Sequence, residues 1–175
     1  TNTLSRKRAH LIRSQYNCII STSKSINRDN SLLNCRIKGL DNNKPDLIII
    51  DLNLKLKSNL KLFKLKLKRN IFLVTKLQNK RKINFFKKRG VKLIHIRSLD
   101  KKSDFKHLFM KLKSKNYNRI LIESGLTFLK SIIHYKLLNN LFIFKSNKNL
   151  GSLGKNNISN NFLKKLNYKK KINVN

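Results

Sequence analysis

Apolar residues in this chain come in short runs set between polar stretches, and the period of each run predicts an element. Asn2 or Thr3 caps a predicted helix over Leu4 to Gln15, with Leu4, Leu11 and Ile12 on one side and Arg6, Lys7 and Arg8 mostly outside. Cys18 to Thr22 reads as a strand, and Ser25 to Arg36 as a polar segment rich in Asn and Ser. The chain turns at Pro45, the only proline, into Leu47 to Asp51, a β-branched run typical of a strand buried on both faces. Leu52 to Arg69 alternates Leu and Lys, which predicts an edge strand or a loop with short strands; a membrane-surface segment is the weaker alternative, because the pattern lacks helical period. Strands are predicted at Ile71 to Thr75, Val91 to Ile96, Arg119 to Ile122 and Leu141 to Phe144. Helices are predicted at Lys82 to Arg89, stopped by Gly90, at Ser103 to Lys115 with an apolar stripe of Phe105, Leu108, Phe109 and Leu112, and at Gly125 to Leu137.

From residue 71 the predicted order alternates strand and helix. Such connections make parallel neighbours in one sheet with helices on its faces, so the class is α/β with a mostly parallel central sheet and flanking helices. No boundary or repeat divides the 175 residues, which suffice for one domain with a sizeable core. Thr1 is not an initiator Met, and Lys169 to Asn175 stops inside a strand-like stretch, so the chain is read as a fragment cut at both ends.

Charge complicates this picture. Lys and Arg number 42 against 7 Asp and Glu, a net charge of +35, which taken alone predicts a polyanion partner. The lysines are spread along the whole chain, however, in a composition dominated by Lys, Asn, Ile and Leu. We read this as compositional bias and expect weak, salt-sensitive sticking to nucleic acid, with no specific nucleic-acid function. Cys18 and Cys35 form no C-x-x-C pair, and His10, His95, His107 and His134 lie far apart, so no metal set is expected. No apolar run approaches the roughly 18 residues of a membrane span. A reducing, cytoplasmic setting fits.

Ligands of open α/β sheets sit at the carboxyl ends of strands. The most informative such end is Arg119 to Ser131, where Glu123, the only glutamate, hands a buried strand to a helix through Gly125. The N–H groups of Gly125, Leu126 and Thr127 are expected to be unpaired and aimed at an anion, with Thr127 adding a hydroxyl. A plain turn is the alternative reading. Arg13 and Arg36 are arginines in a chain that overwhelmingly uses lysine, which suits a phosphate held by guanidinium forks; ordinary surface arginines are the alternative. Glu123 accepts hydrogen bonds from a ligand or caps neighbouring backbone, and Asp29 beside Asn30 and Ser31 reads equally as an Asx turn.

Three blocks, in order over nearly the whole chain, resemble the reductase domain of the bacterial riboflavin-biosynthesis deaminase–reductase. The first is Thr1 to Arg36, where Leu11-Ile12-Arg13-Ser14-Gln15-Tyr16 precedes the Cys18 strand and Ser25 to Arg36 follows it. The second is Pro45 to Lys55, and the third Ile120 to Gly154, with Glu123-Ser124-Gly125 at the helix start and Lys148-Asn149-Leu150-Gly151 at the end of a strand. The chain departs from the family pattern at Ser31 for proline, Leu52 for serine, Lys55 for arginine, Ser124 for glycine, and Asn139-Asn140 for Asp-Glu.

The resemblance implies a dihydrofolate-reductase-like fold and reduction, with NADPH, of the ribosyl group of 5-amino-6-(5-phosphoribosylamino)uracil to a ribityl chain. It implies cofactor contacts at Ser25 and Asp29 and along Gly125, Leu126, Thr127, Phe128, Leu129, Lys130 and Ser131. It implies substrate contacts at Arg13, Leu33, Arg36 and Glu123, the arginines gripping the phosphate. Hydride chemistry belongs to the cofactor, so no acid–base dyad is expected. A zinc deaminase domain is expected upstream, and a homodimer is one arrangement it allows. A basic nucleic-acid-binding module and a related reductase acting on another pyrimidine or pterin are the alternatives.

Overall fold

The computed structural model of the chain describes residues 3–40, 44–64 and 68–144. Five strands form one parallel sheet: β1 (Cys18–Thr22), β2 (Asp46–Ile50), β3 (Ile71–Thr75), β4 (Val91–His95) and β5 (Ile120–Ile122). Their order across the sheet is β4-β3-β2-β1-β5. Among the described residues six helices connect or precede them: α1 (Thr3–Ser14), α2 (Ser23–Asp29), α3 (Lys61–Lys64), α4 (Lys80–Lys87), α5 (Lys102–Lys113) and α6 (Leu126–His134).

The inner strands are apolar at successive positions because both their faces are covered. Ile19, Leu47, Ile49 and Leu73 pack with Ile26 of α2, Leu62 of α3 and Phe86 of α4. On the other face Cys18, Ile20, Ile48, Phe72 and Val74 meet Leu108 and Leu112 of α5 and Phe128 of α6. β4 lies at the edge, and its pattern changes accordingly: Val91 and Ile94 are buried while Lys92 and His95 are exposed. Edge lysines of this kind discourage pairing with a further strand.

Most predicted elements are present within two or three residues of their predicted ends. Three are not. Residues 52–64 form turns and the single helical turn α3, with no strand. Asp51 explains this: its buried carboxylate accepts from Ser23 Oγ and from the backbone N–H of Lys55 and Leu56, donors that a strand would need for its ladder. The alternation still has meaning, since Leu54, Leu56, Leu60 and Leu62 all face the core. α2 forms inside the segment read as merely polar; Thr22 caps it by accepting from Ser25 N–H, and Asn30 closes it in a left-handed conformation. Leu141 to Phe144, predicted as a strand, is irregular, and all four side chains are exposed. The Lys148 to Gly151 match lies outside the described residues. Among the described residues no helix is long and apolar enough to cross a membrane.

Candidate functional site

The strand order creates a topological switch point beside β1. β2, β3 and β4 extend from β1 in one direction, and β5 returns to its other side. At the carboxyl ends the chain leaves β1 into α2 on one face and β5 into α6 on the other. Such a switch point is where open α/β sheets bind ligands.

Ser25 and Gly125 span this point. Gly125 N–H donates to Ser25 Oγ at 3.1 Å, and Thr22 Oγ1 lies 3.1 Å from the same hydroxyl. A Cβ on Gly125 would sit 3.4 Å from Ser25 Oγ, while its φ of −68° suits any residue. A side chain at this position would thus meet Ser25 at ordinary contact distance, and the backbone makes no conformational demand for glycine. The expectation of three free N–H groups needs correction, because that of Gly125 is taken by Ser25. α6 nonetheless starts without a side-chain cap, so the N–H groups of Leu126 and Thr127 meet no side-chain acceptor and the helix dipole favours an anion in front of them. Within the predicted cofactor run, Thr127 and Lys130 are exposed. Phe128 instead packs its ring against Phe105, Leu126 and Leu129 are half-buried, and Ser131 Oγ turns back to Thr127 O.

The predicted substrate residues assemble as a second group. Glu123 continues β5 by donating its N–H to Ile20 O. Its carboxylate accepts two bonds from Arg13, Nε to Oε2 at 2.9 Å and Nη2 to Oε1 at 2.5 Å. Arg13 Nη1 also donates to Asn34 O at 3.2 Å. His10 Nδ1–H donates to the same carbonyl at 2.9 Å, which leaves Nε2 to accept from Arg36 Nη2 at 3.5 Å. Burial, and next the Arg13 guanidinium, hold His10 below its ordinary value, which keeps the imidazole neutral and able to accept. Leu33 is buried with a left-handed φ of +49°. Arg13, Glu123 and, through His10, Arg36 thus form one connected patch, while the Leu33 side chain packs into the core instead. Arg13 is committed to Glu123 and Asn34, so its remaining N–H groups and the exposed Arg36 are the donors left for an anion.

Asp29 stands apart. It lies at the exposed end of α2 with its carboxylate against Arg28 at 2.8 Å. Beside it opens a cleft of about 360 Å³ lined by Ser23, Lys24, Asn27, Arg28, Lys55 and Lys57. Asn27 ties the Leu-Lys stretch to α2, donating to Lys55 O and accepting from Lys57 N–H. The residues of this cationic cleft, like His10 and Asn34, carry no local motif; lysines spaced two apart after Asp51 are the only hint in the sequence. Among the described residues no group of His, Cys, Asp and Glu is placed to hold a metal ion.

No curated protein sequence matches the chain. Among solved structures, RibD of Acinetobacter baumannii superposes with a TM-score of 0.62 at 19% identity, over 79% of this chain and 37% of that one. The riboflavin biosynthesis reductase of Saccharomyces cerevisiae gives 0.60 at 22%, over 75% and 58%. The diaminohydroxyphosphoribosylaminopyrimidine deaminase/5-amino-6-(5-phosphoribosylamino)uracil reductase of Thermotoga maritima gives 0.59 at 18%, over 77% and 35%. The chain thus spans between about a third and three fifths of these proteins, and the likeness carries the dihydrofolate-reductase-like fold. The model of the RibD C-terminal domain matches residues 1–172, and the chain belongs to that family.

Proposed function

We propose that this chain reduces the ribosyl group of 5-amino-6-(5-phosphoribosylamino)uracil to its ribityl product with NADPH. The observation that carries the reading is an uncapped helix start at the switch point, next to an arginine–glutamate patch. NADPH, when bound, supplies the hydride. Its diphosphate suits the first turn of α6, residues Gly125 to Ser131, with Ser25 holding the turn in place. Its additional phosphate suits Lys24, Lys55 and Lys57, and Asp29, an acceptor, suits a ribose hydroxyl. On the substrate side, Arg36 and the free edge of Arg13 grip the phosphate, Glu123 accepts from pyrimidine or ribose donors, and Leu33 backs the patch from the core. These residues bind and orient, and holding the reacting groups together is a large share of catalysis.

The Thermotoga protein is described as both a deaminase and a reductase; the proposal for this chain concerns the reductase alone, with the deaminase half expected on a separate upstream domain. The free, buried thiols of Cys18 and Cys35 suit a reducing, cytoplasmic setting. Fluorescence titration with NADPH and NADH tests the cofactor reading. We expect saturable NADPH binding, weaker NADH binding, and a roughly fivefold loss of NADPH affinity in Lys55→Ala, the scale of one exposed charge contact. No saturation at millimolar NADPH contradicts it.

A further inference from the structure

The segment between α2 and β2 brings the Asn34 carbonyl to the proposed substrate patch and buries Leu33 behind it, yet residues 31–36 belong to no helix or strand. Three successive carbonyls of this segment are held by side chains. Leu32 O accepts from Arg69 Nη2, and Leu33 O accepts from Arg69 Nη1 at 2.9 Å. Asn34 O accepts from Arg13 and His10. Arg69, just before β3, also donates Nη1 to Pro45 O at 3.2 Å, where the segment's far end enters β2.

Arg69 is an unusual cation. Its Nε is buried without a hydrogen-bond partner, and the described ion pairs do not include it. Burial pulls its guanidinium down to about 10, with Asp46 opposing and Arg13 adding to the shift, so the group is still charged at neutral pH. Desolvating a guanidinium against carbonyls alone is costly. What it fixes is equally costly: a leucine in the left-handed region, a conformation that persists only when its surroundings over-determine it.

We propose that Arg69 is a positioning residue for substrate, its planar fork locking the Leu32–Leu33 peptides so that the left-handed turn sets Leu33 and the Asn34 carbonyl that orients Arg13. This rests on the substrate reading of Arg13, Leu33, Arg36 and Glu123. A lysine reaches one carbonyl at a time and cannot reproduce the fork.

Arg69→Lys, which keeps the charge, and Arg69→Ala test it in the whole protein. The readouts are kcat and KM for the phosphoribosylamino substrate, the Kd for NADPH, and the iodoacetamide labelling rate of each thiol by peptide mass mapping. Cys35 lies buried inside the locked segment and Cys18 inside β1, so the two thiols report the segment and the sheet separately. We expect KM to rise at least about tenfold in Arg69→Ala, as for a displaced contact, and less in Arg69→Lys. Cys35 labelling should accelerate in both, with Cys18 labelling and NADPH Kd within twofold of wild type. Unchanged KM and Cys35 labelling overturn the proposal. Parallel losses in KM, NADPH Kd and Cys18 protection also overturn it, since they mark general loosening. If wild-type protein turns over no such substrate, the substrate reading fails by itself, and the lock is judged by Cys35 labelling in Arg69→Lys alone.

Discussion

At the scale of single residues the Arg13–Glu123 pair decides how the site responds to substitution. The pair is partly exposed, with Arg13 13% and Glu123 39% accessible, so solvent screens it and its contribution to stability is modest. Its function is coupled, because each side chain orients the other. Arg13→Ala removes a charge-assisted contact worth roughly 1.5–3 kcal/mol, about a 10- to 150-fold fall in kcat/KM. The double variant Arg13→Ala/Glu123→Gln should fall by less than the product of the single effects, since bonded partners do not act independently. Steady-state kinetics on the four proteins of the cycle check this; strictly multiplicative losses would show that the two act separately. His10 adds a pH signature. Its folded value lies below its unfolded value of about 6.5, so the unfolded chain takes the proton first. The stability this contributes is present above about pH 6.5 and is lost as pH falls through the folded value. Melting temperature should therefore drop from about pH 7 to about pH 5, and His10→Gln should shrink that drop.

At the scale of elements, legibility followed the source of each element's stability. β1 and β3 matched their predicted ends, because a strand buried on both faces is written as an unbroken apolar run. α2 was missed because it is held by its ends: the Thr22 cap, the Asn30 turn and the buried Ile26 leave no periodic stripe in seven residues. The Leu-Lys stretch misled for a different reason, since the capture of its backbone donors by Asp51 is a tertiary event. Asp51→Ala should therefore be costly. It leaves buried donors without a partner and should destabilise the protein by roughly 2–5 kcal/mol, read by denaturant melts. A loss below about 0.5 kcal/mol, the range of ordinary surface changes, would show that the loop stands without it. The site divided in the same way. Glu123 and the Gly125 turn were visible locally, at the handover from strand to helix. The bonding of Arg13 to a residue 110 positions away was not visible, nor was the hold of Arg69 on Leu32.

For the whole molecule, charge and fold make separate claims. A net charge of +35 spread over the chain should bind any nucleic acid weakly, with affinity falling steeply as salt rises. Filter binding across salt concentrations and unrelated sequences checks this, and tight sequence-selective binding at physiological salt would contradict it. The sheet order instead sets the α6 start and the Arg13–Glu123 pair side by side at the switch point between β1 and β5, with the lysine cleft along α2. On the proposed reading a hydride passes, at that switch point, from NADPH to the ribosyl carbon of a phosphoribosylaminouracil. The direct measurement supplies NADPH carrying deuterium at its transferable hydride position and follows the product by mass spectrometry. The expected result is a ribityl product with one deuterium, on the carbon bound to the amine. Turnover without deuterium in the product, or no turnover with saturating substrate and NADPH, would contradict it.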